Sequence, residues 1–266
     1  MDKSIVLSVR GVSNQYISRD FALFGKKKIK RVLNNINLEL RSGEIFGLTG
    51  NSGCGKTTLA NCILGLIDYE GEIFIDGKKQ KKKTERTTAK VAWSFKENKN
   101  PIITLCNSVF SVVFSLFLNN HNAPGAQMVF QEPGASLNPR KKIGWLLEEP
   151  LVIHRIGTKE ERRQKTDEML TSVGLDPSYK TRRVNELSGG QKQRVCIARA
   201  LALNPRLLIA DEAISSLDVS TGAQILNLFR ELHKTLGLTI LFISHNKDAV
   251  EYLCDRIEVM ENGAII

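Results

Sequence analysis

The stretch Gly50-Asn51-Ser52-Gly53-Cys54-Gly55-Lys56-Thr57 decides the fold of this chain of 266 residues. Its pattern, G-x-x-x-x-G-K-[ST], marks a phosphate-binding loop when a strand precedes it and a helix follows it. Both conditions are met, because the apolar run 45–48 predicts a buried strand and the segment 58–64 predicts a helix. The sequence therefore predicts a nucleotide-binding α/β domain, and this context disfavours a glycine-rich turn with a chance lysine.

The loop residues have distinct predicted roles. The glycines let successive backbone N–H groups turn toward phosphate oxygens, and the following helix adds the positive end of its dipole. Lys56 is expected to reach the β- and γ-phosphates, and the Thr57 hydroxyl to hold Mg²⁺. Residues 50–57, together with Thr58 at the start of the helix, form the predicted nucleotide contact surface.

Composition narrows the class of protein. Apolar residues make up 42% of the chain and charged residues 25%, as in ordinary soluble domains. The formal net charge of +10 favours anionic partners such as nucleotides, nucleic acid or an anionic membrane, although each single basic run is more simply a solvated surface. The five cysteines form no C-x-x-C pair, which indicates reduced thiols and a cytosolic protein. Residues 1–5 lack the apolar core of a signal peptide.

Hydrophobic periodicity predicts the order of the elements. Strands that are apolar throughout alternate with helices, which implies a mostly parallel sheet covered on both faces. Residues from 143 to about 185 are helical in pattern and predict a helical subdomain. The predicted strands are 5–9, 32–40, 71–77, 128–130, 207–210, 239–243 and 256–260, and the predicted helices outside 58–64 are 143–154, 159–173, 188–203, 221–236 and 248–253.

One segment, 102–118, does not fit that alternation. It is apolar and aromatic-rich but shorter than the roughly 20 residues a membrane span needs, and it contains Asn107. Its β-branched and aromatic content suits a strand pair or an adhesive surface segment.

The predicted strand 207–210 ends in two carboxylates, Asp211 and Glu212. Asp211 is placed to bind Mg²⁺ through water, and Glu212 to polarise an attacking water as general base. Taken alone, such a pair is more simply a solvent-facing strand end. The phosphate loop makes the catalytic interpretation the favoured one.

A second anion-binding helix start lies at Leu187-Ser188-Gly189-Gly190-Gln191. The serine hydroxyl and the glycine N–H groups suit phosphate, although an ordinary capped helix has the same pattern. One compact domain already has a loop for the γ-phosphate. A second site therefore suggests phosphate presented by another subunit.

These motifs, in this order, resemble the ATP-binding subunits of ABC transporters. The matching parts are the Walker A loop Gly50–Thr57, Gln131, the signature 187–191, the Walker B strand ending in Asp211-Glu212, the D-loop Ser216-Leu217-Asp218, and His245. The resemblance covers nearly the whole chain except about 78–125. It implies a P-loop NTPase cassette with a mostly parallel sheet, an antiparallel β subdomain and a helical subdomain, forming one ATP-binding domain over 1–266.

The resemblance implies roles for the remaining residues. Two cassettes close head to tail around two ATP molecules, so that Ser188, Gly189, Gly190 and Gln191 of one face the γ-phosphate held by Lys56 of the other. Gln131 is implied to touch Mg²⁺ and the attacking water, and His245 to contact the γ-phosphate. Asp218 would cross the dimer interface, and Tyr16 is the candidate for stacking on adenine.

A finer resemblance concerns residues 131–140, which are similar to the oligopeptide, dipeptide and nickel importers. That group implies a second cassette, transmembrane permease subunits and, indirectly, an extracellular substrate-binding protein, with this chain peripheral at the cytoplasmic face of the membrane. No nucleic acid partner is expected. Two departures stand out: the segment 78–125 is longer than is usual in the group, as an insertion or a gene-model error, and the chain stops at Ile266 where these importers continue.

Two alternatives remain at this stage. A soluble ATPase of the same family acting on ribosomes or DNA fits the basic charge, but the chain has a single Walker A loop and lacks sustained heptads. A regulatory cassette with impaired hydrolysis is disfavoured by Lys56, Glu212 and His245, and is kept open by the insertion before Gln131.

Overall fold

The computed structural model describes residues 4–19, 27–82 and 125–266. Within these residues the larger sheet has six strands, and neighbours pair in parallel except for the last pair. In spatial order these strands are β6 (Ala126–Val129), β7 (Leu207–Asp211), β8 (Thr239–Ile243), β3 (Ile45–Thr49), β9 (Arg256–Glu261) and β10 (Ala264–Ile265). The predicted, mostly parallel sheet is confirmed.

Both faces of this sheet are covered by apolar side chains. In β8, Ile240 and Phe242 belong to one buried cluster, whereas Leu241 and Ile243 belong to the other. Alternate residues of a strand point to opposite faces, so a strand buried on both sides must be apolar at every position. This explains the continuous apolar runs that predicted β3, β7 and β8.

A second sheet is antiparallel and has the order β2-β1-β4-β5, formed by β1 (Ile5–Arg19), β2 (Lys27–Arg41), β4 (Glu70–Ile75) and β5 (Lys78–Lys79). The predicted bounds of its first two strands were too short. Their ladder continues through polar pairs such as Gln15↔Arg31 and Arg19↔Lys27. The added residues are mostly polar and show no strict apolar alternation, and therefore the sequence pattern missed this extension.

The described helices are α1 (Lys56–Ile63), α2 (Pro133–Ser136), α3 (Ile143–Ile153), α4 (Lys159–Ser172), α5 (Gly189–Leu201), α6 (Val219–Leu236) and α7 (Lys247–Leu253), with 3₁₀ turns at Pro177–Thr181 and Val184–Glu186. Helix α6 begins two residues before its predicted start because Asp218 caps it, accepting a hydrogen bond from the backbone N–H of Thr221. The short α2 carries no periodic signal and was not predicted.

The predicted insertion, 78–125, falls largely outside the described residues. At its start, Lys78 and Lys79 pair with β4, and description resumes at Gly125. The apolar run 102–118 and Asn107 also lie outside the described residues. Among the described helices, none combines the length and the hydropathy required to cross a membrane. The division of the chain into subdomains stays a prediction.

Candidate nucleotide-binding site

The predicted catalytic residues lie at one edge of the parallel sheet. The phosphate loop follows β3, Asp211 ends β7, and His245 comes two residues after β8. Gln131 lies two residues beyond β6. Because β3, β8, β7 and β6 are parallel neighbours, their carboxyl ends meet at the same edge. This is where ligands bind in open α/β sheets.

The backbone of the phosphate loop requires glycine at two positions. Gly50 has φ 147°, and a Cβ there would lie 2.2 Å from the carbonyl oxygen of Met260. Gly55 has φ 117° and precedes α1, and its Cβ would lie 2.9 Å from Leu33 Cδ2. No side chain caps the N-terminus of α1. The first N–H groups of this helix therefore remain available to an anion.

Lys56 is anchored within the loop. Its Nζ donates hydrogen bonds to the carbonyl oxygens of Gly50 at 2.7 Å and Asn51 at 3.0 Å, and it lies 3.7 Å from Cys54 Sγ. The residue is buried, with 6% of its surface exposed. A buried ammonium group with fixed position is a strong electrostatic partner for phosphate, since the low dielectric strengthens the attraction.

Asp211 lies beside Thr57, which links the end of β7 to the loop. Burial raises the pKa of Asp211, and the neighbouring Glu212 carboxylate raises it further, whereas the hydrogen bond with Thr57 and the charge of Lys56 oppose the rise. Its Oδ1 is buried without a hydrogen-bond partner in the described chain. An unpartnered buried carboxylate oxygen is costly unless it binds a proton or a cation.

Glu212 and His245 are in direct contact. His245 Nδ1 lies 2.9 Å from Glu212 Oε1 and 2.8 Å from Oε2. With a carboxylate as the acceptor, His245 Nδ1 is the donor of this hydrogen bond. The backbone N–H of His245 also donates to Glu212 Oε1 at 3.2 Å. The loop after β8 thus fixes the orientation of the carboxylate that follows β7.

The backbone of Glu212 is unusual as well. Its φ is +50°, in the left-handed region that side-chain-bearing residues seldom adopt, at a cost of roughly 1–2 kcal/mol. Its N–H donates to the carbonyl of Ile243 at 2.9 Å, and its own carbonyl accepts from the N–H and hydroxyl of Ser215. These bonds hold the strained conformation, and such strain is concentrated at functional sites.

The signature segment is ordered by its own capping box. Ser188 Oγ accepts from the N–H of Gln191 at 3.3 Å, and Gln191 Oε1 accepts from the N–H of Ser188 at 3.0 Å. Gln191 Nε2 also donates to the hydroxyl of Tyr179 at 3.0 Å. At Gly190, a Cβ would lie 2.5 Å from Thr221 Cγ2, so glycine permits the close approach of α5 to α6. Because Ser188 Oγ accepts in the cap, its own proton is available to an external anion.

The remaining predicted site residues lie on several different elements. Gln131 is exposed beyond β6, as are Asn51 and Ser52 in the loop, and Thr58 lies in the first turn of α1. Tyr16 lies on β1 opposite Lys30, beyond the bounds 5–9 predicted for that strand. Asp218 caps α6, and hydrogen bonds from Thr221 lower the pKa of its exposed carboxyl. The roles assigned to these residues stay predictions.

Sequence patterns missed the pairings that hold the site together. The Thr57–Asp211 and Glu212–His245 contacts join residues far apart in the chain. Tyr179, which orients Gln191, lies in a 3₁₀ turn without a motif. The one available signal was topological, because parallel neighbouring strands must bring their carboxyl ends together.

Comparison with known proteins places this geometry in a family. The family model described as ABC transporter matches residues 33–215. A Brucella ovis ATP-binding protein named for peptide import is 39% identical over 100% of this chain and 72% of its own length. The oligopeptide transport ATP-binding protein AppF of Bacillus subtilis is 36% identical with the same coverage of both chains.

A solved structure agrees with these relatives. The ATP-binding cassette MJ0796, a dimer in a post-hydrolysis state bound to ADP and Pi, is 28% identical. It superposes with a TM-score of 0.71, covering 97% of this chain and 96% of that one.

Proposed function

The chain belongs to the ABC transporter family, and we propose that it is the ATP-hydrolysing subunit of an importer for peptides. The observation that supports this most directly is the contact of His245 with Glu212 at the sheet edge that also carries Lys56. A carboxylate held in one orientation beside a phosphate loop suits water activation. An ordinary solvent-facing strand end would need neither the burial nor the histidine.

We assign the hydrolytic roles as follows. The loop N–H groups and Lys56 bind the triphosphate and offset the charge that develops on the γ-phosphate. Glu212 accepts a proton from the attacking water, and His245 donates to Glu212 through Nδ1, which keeps the carboxylate in position. Gln131, two residues beyond the end of β6, contacts the attacking water. Tyr16, on β1, is the proposed stacking partner of adenine.

Mg²⁺ fits the residues present. Asp211 Oδ1 is buried and unpartnered within the described chain, and the Thr57 side chain lies beside the same carboxylate. Hydroxyl and carboxylate oxygens are ligands that Mg²⁺ prefers. Thr57, Asp211 and Gln131 would hold the ion directly or through water, and it would offset the negative charge of the triphosphate.

A second cassette is the partner that completes the site. In the described chain, no hydrogen bond joins Ser188–Gln191 to the phosphate loop. We propose that these residues face ATP bound by the opposite cassette in a head-to-tail dimer, with Asp218 at the interface. Closure then precedes hydrolysis, because neither chain alone surrounds the γ-phosphate.

The remaining partners are assigned from the relatives. Proteins named for peptide and oligopeptide import match the whole chain, which favours peptides as the imported solute over nickel complexes. We propose permease subunits as membrane partners, an extracellular substrate-binding protein as an indirect one, and a peripheral position at the cytoplasmic face. A soluble ATPase acting on nucleic acid or ribosomes, and a regulatory cassette, are disfavoured by the same relatives and by the intact Glu212–His245 pair.

A complementation experiment tests the proposal. In cells from which the gene has been removed, we expect peptide uptake to be lost, to return with the wild-type chain, and to stay lost with Glu212→Gln. Labelled nickel uptake, measured in parallel, should not change. Peptide uptake that persists without the gene, or returns fully with Glu212→Gln, would contradict the proposed function.

A further inference from the structure

The short helix α2 lies directly after Gln131 and cannot be stable by itself. It has four residues, including Pro133 and Gly134, whereas isolated helices need about 12–15 residues to persist in water. Its position must therefore come from neighbouring elements. The side chains that supply it come from α5, the helix that begins at the signature.

Two residues of α5 hold the carbonyl groups of α2. Arg199 Nη1 donates to the carbonyl oxygen of Ser136 at 2.9 Å, and Cys196 Sγ lies 3.8 Å from the carbonyl oxygen of Pro133. Cys196 Sγ is also 3.1 Å from Ser136 Oγ, whose proton already goes to Pro133. Burial raises the pKa of the Cys196 thiol to about 11, so it stays protonated as the donor.

Arg199 has a second partner on a third helix. Its Nη2 donates to Glu149 Oε2 on α3 at 2.5 Å, while only 9% of the arginine surface is exposed. Burial lowers the pKa of Arg199, and the Glu149 carboxylate opposes that effect. One planar guanidinium thus binds a backbone carbonyl of α2 and a carboxylate of α3 together. A lysine ammonium on a flexible stem does not reproduce this fork.

We infer that Arg199 is a positioning residue. It connects residues 131–136 of a chain to the signature, residues 187–191, of the same chain. Ser188 caps the same helix, eleven residues or about 16 Å along α5 from Arg199. A movement of Gln131 on nucleotide binding would carry α2, and through the guanidinium it would carry α5. The nucleotide site of one chain would thereby set the position of the signature that the chain offers to its partner.

Hydrogen–deuterium exchange of the full chain, with and without Mg-ATP, tests this inference. In the wild type we expect nucleotide-dependent changes in exchange in three segments: 50–57, 128–136 and 188–192. In Arg199→Lys the changes at 50–57 and 128–136 should persist, and the change at 188–192 should be lost. Glu149→Gln, which removes the charge from the second partner, is the second variant and should lose it as well.

The control is Asp167→Asn, in an ion pair of the same helical region. Lys180 Nζ lies 2.7 and 2.8 Å from the two carboxylate oxygens of Asp167. This ion pair includes no residue of α2 or α5. This variant should keep all three nucleotide-dependent changes. A merely structural role for Arg199 would raise exchange in both nucleotide states and leave their difference intact.

The inference rests on the proposed nucleotide function, and the experiment separates the two. No change at 50–57 in the wild type would overturn the nucleotide function and the inference together. A normal change at 50–57 with an unaltered nucleotide response at 188–192 in Arg199→Lys or Glu149→Gln would overturn the inference alone. Loss of that response in Asp167→Asn would also count against it, because the effect would then not be specific to Arg199.

Discussion

The sheet edge and the signature helix differ in how complete they are within one chain. At the sheet edge, contacts between distant residues join the loop, Asp211, Glu212 and His245, and an unpartnered carboxylate oxygen remains in the described chain. At the start of α5, Ser188 and Gln191 satisfy each other. The residues of the first region are brought together within one chain. The second region is ordered by its own capping box, and the hydroxyl proton of Ser188 is available to a group outside the chain. This difference supports an active site divided between two chains.

Glu212→Gln should have the largest effect on the first region. Loss of a general base lowers kcat by about 10³-fold, within the usual range of 10²–10⁴. ATP affinity should stay within about twofold, because the loop and Lys56 are unchanged. Steady-state ATP hydrolysis and nucleotide titration measure the two effects. The control Glu251→Gln alters an exposed glutamate of α7 and should leave both unchanged; normal turnover in Glu212→Gln would remove this residue from the mechanism.

Lys56→Ala should instead weaken binding at the same edge. Charge-assisted hydrogen bonds contribute about 1.5–3 kcal/mol, so a loss of about 100-fold in ATP affinity is expected. Titration with a fluorescent ATP analogue provides the measurement. Lys247→Ala, at an exposed position of α7, is the matched loss of a positive charge and should bind normally. Wild-type affinity in Lys56→Ala would contradict the phosphate contact assigned to it.

Ser188→Ala addresses the second region and should have a smaller effect. We expect about a tenfold fall in kcat, since one hydrogen bond to the γ-phosphate is lost, and unchanged ATP affinity in the isolated chain. Thr158→Ala is a close control because Thr158 caps α4 with the same capping box. Both variants lose a helix cap, which lowers the free energy of unfolding by about 1 kcal/mol. Equal kcat values for the two variants would mean that Ser188 acts only as a cap.

Asp211→Asn should give the smallest effect of these variants. It should raise the stability of the nucleotide-free chain, whereas the loss of a helix cap lowers it. Burial raises the pKa of Asp211 in the folded chain, so the folded state holds its proton more tightly than the unfolded state does. Its ionisation therefore lowers stability as pH rises from the ordinary aspartate value through the raised one. The asparagine variant removes this ionisation, so its stability relative to the wild type should grow as the pH rises through that range.

Thermal unfolding tests this expectation. Without nucleotide, Asp211→Asn should raise Tm by about 2–4 °C, which corresponds to about 1 kcal/mol for a chain of this size. The additional stabilisation by Mg²⁺ with ATP should be reduced, since a neutral amide is a weaker ligand. A lower Tm at pH 7, together with full Mg²⁺-dependent stabilisation, would contradict the charge and metal assignments of Asp211.

The difference between the two regions also explains what the sequence could predict. The phosphate loop, the carboxylates at the end of β7 and the capping box of α5 are local patterns, and each is complete within about eight residues. The contacts of His245 with Glu212 and of Arg199 with Glu149 join residues 33 and 50 positions apart. Such pairs leave no periodic trace in one sequence. The extensions of β1 and β2 were missed for a related reason, because their sequence shows no strict apolar alternation.

The divided active site is tested most directly by a structure of the Glu212→Gln cassette assembly with Mg²⁺ and ATP. We predict that Ser188 Oγ of each cassette lies within hydrogen-bonding distance of the γ-phosphate bound by Lys56 of the opposite one. A closed, ATP-loaded assembly in which Ser188 points away from every nucleotide, or contacts the ATP of its own chain, would contradict the account.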